Sequence, residues 1–75
     1  MAWNPSPEVQ VARDAAKRIG DLRGAVVRHI VVLSITDDDR IGYVSYGPTR
    51  RDCDEAKSLA DVLYGRALQF FEDRA

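Results

Sequence analysis

The sequence predicts an α+β fold in one small domain: helix-strand-strand-helix, with a two-stranded antiparallel hairpin completed to a larger sheet or sandwich by dimerisation. Three observations predict it. Helical periodicity at both ends of the chain brackets two central runs of strand formers. A turn-rich TDDDR separates those runs. The first run is apolar on both of its faces, so it needs cover on two sides.

The first helix is expected over about residues 7–19 of NPSPEVQVARDAAKRIG. Ser6 is a good N-cap, Pro7 suits the first helical position and Glu8 complements the positive end of the helix dipole. Val9, Ala12, Ala16 and Ile19 form its apolar stripe, Lys17 and Arg18 occupy the last turn, and Gly20 offers a left-handed stop. The alanines imply a close approach to whatever lies beneath.

VVRHIVVLSI, residues 26–35, is too β-branched and too continuous for an amphipathic helix and reads as a strand. Alternation sends Val27, His29, Val31, Leu33 and Ile35 to one face, and Val26, Arg28, Ile30, Val32 and Ser34 to the other. After the TDDDR tip, IGYVSYG supplies the return strand.

A second, longer helix begins within GPTRRDCDEAKSLADVLYGRALQFFEDRA. Thr49 with Asp52, or Asp52 with Glu55, could cap it, and the second pair makes the fuller capping box. Ala56, Leu59, Ala60, Leu63, Ala67 and Phe70 form the expected buried stripe, widened by Val62 and Phe71. Gly65 sits mid-helix, where glycine costs about 1 kcal/mol against alanine.

Size makes the dimer expectation concrete. A chain of 75 residues is one domain at most, and a lone core of that size supplies roughly 3–5 kcal/mol. One cysteine and one histidine give neither a disulfide nor a recurring metal-ligand motif, so no cofactor and no metal are expected. If both helices cover one side of the hairpin, Val26, Ile30 and Val32 are left bare, and two strands alone are marginal. Pairing of two copies, edge to edge or face to face, addresses both deficits.

Composition narrows function by exclusion. Hydrophobic residues at 45% and charged residues at 31% describe an ordinary globular domain rather than a disordered one. A net charge of -1 argues against a protein whose main work is gripping phosphate backbone. No segment approaches the roughly 18 apolar residues of a membrane span, and MAWNPSPEV lacks the basic head and apolar run of a leader, so a cytoplasmic location is expected.

Few motifs carry chemistry. A calcium loop begun at Asp37 finds Asp39 and Gly42 in suitable places, but Ile41 stands where an oxygen ligand belongs and Pro48 where the glutamate belongs. GYVSY agrees with the second half of the RNA-recognition octapeptide, whereas Asp39, Arg40 and Ile41 depart from its first half. On that pattern Tyr43 lies on an open sheet face as a thin stacking platform. Lys17, Arg18, Arg23, Arg28, Arg50 and Arg51 gather at the pole opposite the acidic tip, where the start of the second helix could hold an anion. For catalysis, Cys53 at a helix start and His29 lack any second acid or base placed by a motif, and no enzyme is expected. Trp3 either packs on the second helix or anchors a partner.

WNPSPEV, GYVSYG and TRRDCDEAK together resemble small uncharacterised proteins encoded by bacteriophages and prophages. The resemblance implies a short accessory protein that modulates a host system, and it carries no active site. The sequence therefore predicts a homodimeric, non-catalytic module that binds a protein partner through Trp3, Ile30, Val32 and Tyr43. The alternative is a nucleic-acid binder that uses Arg23, Arg28, Arg50 and Arg51, or the sheet face around Tyr43.

Overall fold

The computed structural model describes residues 6–74. Its order is α1 (Pro7–Arg23), β1 (Ile30–Ile35), β2 (Ile41–Tyr46) and α2 (Arg50–Arg74), the predicted helix-strand-strand-helix α+β arrangement. None of the described helices is long and apolar enough to cross a membrane.

Ser6 caps α1: its Oγ accepts a hydrogen bond from the Val9 N–H at 3.3 Å, and Pro7 and Glu8 take their expected places in the first turn. The helix runs one turn beyond the expected stop. Gly24 rather than Gly20 adopts the left-handed conformation, with φ 64° and ψ 37°. Gly20 is buried, and a Cβ there would lie 2.6 Å from the Ala25 carbonyl oxygen, so glycine allows the chain to fold back over its own last turn.

β1 begins at Ile30 instead of Val26, and the register supplies the reason. Ile30 pairs with Tyr46, the last residue of β2, so the residues before Ile30 have no strand to meet. At the other end Ile35 pairs with Ile41. The tip closes through the Thr36 N–H, which donates to the Arg40 carbonyl at 3.0 Å, with Asp39 at φ 64°. Thr36 Oγ1 also accepts from the Arg40 N–H at 3.2 Å, and Arg40 Nε lies 2.9 Å from Asp38. The acidic run is thus a hairpin tip organised by its own side chains.

Thr49 caps α2, in place of the expected Asp52. Its Oγ1 accepts from the Asp52 N–H at 3.1 Å, and its carbonyl accepts from the Cys53 N–H at 2.8 Å. Asp52 is instead buried on the inner face of the first turn.

The layers correct one expectation. Residues opposite one another in an antiparallel pair share a face. Ile30, Val32, Ser34, Gly42, Val44 and Tyr46 therefore form one face, and Val31, Leu33, Ile35, Ile41, Tyr43 and Ser45 the other. α2 covers the second face, where the Tyr43 hydroxyl donates to Asp61 at 2.7 Å and the Tyr43 and Tyr64 rings meet at 5.4 Å. α1 covers the first, with Glu8 and Val11 beside Val32, Ser34 and Val44, and with Arg13 and Lys17 beside Tyr46. The two helices lie on opposite sides of the hairpin and, among the described residues, do not pack on each other. Ile30 and Val32 are consequently half-buried under α1 rather than bare. A strand apolar on both faces has helices on both faces, as its composition required.

Among the described residues the buried apolar side chains are all alanines: Ala12 and Ala16 on α1, Ala56 and Ala60 on α2. Small side chains let each helix sit close to the sheet. They also leave a thin core, and no large side chain is fully buried among the described residues.

Candidate functional site

Two regions concentrate functional potential. The first is the pole where α1 ends, β1 begins and α2 starts. Arg28 donates from both Nε and Nη2 to Asp52 Oδ1, each at 3.4 Å. His29 Nε2 lies 3.8 Å from the same oxygen and 3.9 Å from Glu55 Oε2, and it is enclosed without a hydrogen-bond partner. His29, Asp52 and Glu55 bring one donor atom each within 4.8 Å of one another, a set whose chemistry could hold a divalent cation. The local charge opposes that use. The Arg28 guanidinium shares Asp52 Oδ1, and the positive end of the α2 dipole lies beneath the carboxylate. The cluster is better described as an ion network that ties the start of β1 to the first turn of α2.

The other arginines of this pole divide. Arg51 is paired with Glu55 at 3.2 Å, while Arg23 and Arg50 are exposed at the end of α1 and the start of α2. Cys53 is exposed too. The predicted basic pole is present, but two of the arginines proposed as anion contacts, Arg28 and Arg51, already face carboxylates.

The second region is the side of the molecule that carries β1. On α2, Tyr64 and Asp61 turn toward Tyr43 of β2, while Asp52 and Glu55 turn toward His29 at the start of β1. Helical spacing continues the Glu55 row through Leu59 and Leu63, with Phe70 two turns further on. These three are 46%, 41% and 52% exposed. On α1, Arg13 and Lys17 lie beside Tyr46 of β2 and the Val26–Val27 approach to β1, and Val11 lies over the middle of the hairpin, beside Val32 and Ser34 of β1 and Gly42 and Val44 of β2. Val11 and Ile19 are exposed, as are Leu33 and Ile35 of β1 itself. Exposed apolar side chains thus lie on the β1 side of α2, while Leu68 and Phe71 stand with Ile41 of β2 and Ile35 of β1 near the tip.

The predicted site residues are distributed as follows. Ile30 and Val32 lie under α1, and Tyr43 is half-buried under α2 with its hydroxyl bound to Asp61, so the open face expected around Tyr43 is covered. Trp3 lies outside the described residues. The residues that reasoning from sequence missed are Leu59, Leu63 and Phe70, assigned to the buried stripe but standing in solvent. The available signal was the width of that stripe. An apolar arc broad enough to include Val62, Leu63 and Phe71 exceeds what a two-stranded ribbon can cover. No protein-family model, curated protein or solved structure matches this chain.

Proposed function

We propose that the chain is a small non-catalytic interaction module of the cytoplasm that works as a homodimer and binds a protein partner, in the manner of a phage-type modulator of a host system. The supporting observation is exposed apolar surface on β1 and on the helix that covers its outer face: Leu33 and Ile35 on the strand, and Leu59, Leu63 and Phe70 on α2, all at least two-fifths exposed. Contiguous exposed apolar surface rimmed by polar residues marks interaction sites on proteins of this size. The nucleic-acid reading has less support. Arg28 and Arg51 already face Asp52 and Glu55, and the one aromatic it placed on an open face, Tyr43, is packed against Tyr64.

Light scattering together with a salt series discriminates the two readings. The protein is expected to have twice its chain mass, and to show no salt-steep affinity for single- or double-stranded oligonucleotides. Tight oligonucleotide binding that falls steeply with salt and is abolished by Arg50→Ala with Arg51→Ala would overturn the reading in favour of the basic pole.

A further inference from the structure

We propose that the free edge of β1 is the dimer interface, and that its occupant is β1 of a second copy, antiparallel, with a two-fold axis at Leu33. The inference rests on the homodimeric reading above and names the surface that serves it.

The backbone shows which groups are available. Thr36 and Arg40 form a hydrogen-bonded pair at the tip. In an antiparallel ladder such pairs alternate with non-bonded ones, so with the observed register Ser34, Val32 and Ile30 point their N–H and C=O groups at β2. Val31, Leu33 and Ile35 point theirs outward. Among the described residues that outward row is unpaired, a template of the kind that natural proteins cover, charge or interrupt. Between Ile30 and Ile35 it contains no charge, no proline and no bulge.

Both helices lean away from this edge, toward β2. On α2 the row that starts from Glu55, which lies near His29 before β1, leaves Leu59, Leu63 and Phe70 exposed on the β1 side. The opposite edge is guarded. Arg13 and Lys17 stand beside β2 on the α1 face, and Lys57 and Asp61 follow the Tyr64 row on the α2 face.

Register follows from three constraints. An antiparallel pair of identical strands has its two-fold axis perpendicular to the sheet, so each face meets its own copy and paired residues have the same parity. Centring the pair on Leu33 sets Leu33 against the partner's Leu33 and Val31 against the partner's Ile35, so every outward apolar position finds another. Beyond the strand ends, the same register sets the Arg28–His29 end of each copy next to the acidic 36–40 tip of the other. The basic pole of each copy then lies along the acidic tip of the other, twice per dimer. Centring on Val32 would set Arg28 against a threonine and lose that complementarity. The product is a four-stranded antiparallel sheet with two helices on each face, in which the exposed α2 flanks meet across the axis.

Amide hydrogen exchange combined with sedimentation tests this on the full chain. The protein should sediment as a dimer, with the Val31, Leu33 and Ile35 amides protected alongside those of Val32 and Ser34. Leu33→Lys should weaken self-association roughly a hundredfold, because the residue enters the interface twice and loss at an interface centre is worth about tenfold each time. Leu68→Lys, on the β2 side and 39% exposed, should leave it unchanged. A dimer whose Val31, Leu33 and Ile35 amides exchange freely would overturn the β1 interface while leaving the homodimer in place. A monomer at all concentrations would overturn both, and retained circular dichroism in Leu33→Lys separates loss of pairing from loss of fold.

Discussion

Glycine-to-alanine substitution should have opposite signs at two positions of this chain, and the pair measures how closely α2 approaches the sheet. A Cβ at Gly47 would lie 2.5 Å from the Cys53 nitrogen and 2.6 Å from the Asp52 oxygen, both backbone atoms in the first turn of α2. No rotamer relieves such a contact. The helix start must move, taking with it the Asp52 carboxylate that holds Arg28 and the buried Ala56 one turn later. Overpacking a filled site costs about 1–3 kcal/mol, and a clash with backbone belongs at the upper end. Gly65 has nothing within 4 Å of the same added carbon, so Gly65→Ala gains the helix-propensity difference of about 0.8–1 kcal/mol. For a domain of this size 1 kcal/mol corresponds to roughly 4–8 °C in Tm. Thermal unfolding followed by circular dichroism should thus show Gly47→Ala lower than the parent by about 10 °C or more and Gly65→Ala several degrees higher. A Gly47→Ala variant as stable as the parent would refute the close approach of α2 to the end of β2, and with it the account of the alanine core.

Three further outcomes follow from local chemistry. The Asp61 carboxylate, which accepts the hydrogen bond from the Tyr43 hydroxyl, raises the phenol above its ordinary value of 10.0, with partial burial acting in the same direction. A raised folded value means that the contribution is complete below the unfolded value and is lost as pH climbs through the folded one, so denaturant midpoints should decline in that alkaline window and Tyr43→Phe should flatten the decline. Asp38 is held below its ordinary 3.8, chiefly by the hydrogen bond from the Thr36 hydroxyl, so its contribution is present above that value and disappears as acid takes the pH through the lowered one. Carbon-detected NMR titration should show this depression relaxed in Thr36→Val. Removing the α1 cap with Ser6→Ala should cost about 1 kcal/mol in urea unfolding, and a change within error would deny the Ser6-to-Val9 bond any structural role.

The order of elements was legible because each was signalled by a separate local device. Ser6-Pro7-Glu8 opened α1, the β-branched run made β1, and the acidic turn separated β1 from β2. The ends were less legible because they depend on contacts distant in sequence. β1 starts where β2 stops, which no reading of Val26 and Val27 alone reveals, and α1 continues past Gly20 because that glycine is needed for contact with Ala25. The layer assignment was written in the sequence and misread. A ribbon apolar on both faces, with one alanine-striped helix on each side of it in the chain, is satisfied by one helix per face. Assigning both helices to one face created a bare surface at Ile30 and Val32 that the molecule does not have. The apolar surface left in water is accordingly not the face at Ile30 and Val32 but Leu33 on the strand and Leu59, Leu63 and Phe70 on α2. The Arg28–His29–Asp52–Glu55 cluster was half legible: its bases and acids were visible, but only the three-dimensional register brings residues 24 apart in sequence to one oxygen.

Because α1 and α2 touch the hairpin and not each other among the described residues, news from one helix reaches the other through the two strands and the 24–29 segment that leads into them, whose Arg28 holds Asp52. Each helix reads the ribbon from its own side, so a change in strand twist or spacing is felt by both at once, while a change confined to one helix surface stops there. A ligand that straightened or extended the ribbon would move both outer layers together, whereas trimming either helix alone should leave its counterpart seated until the strands themselves come apart.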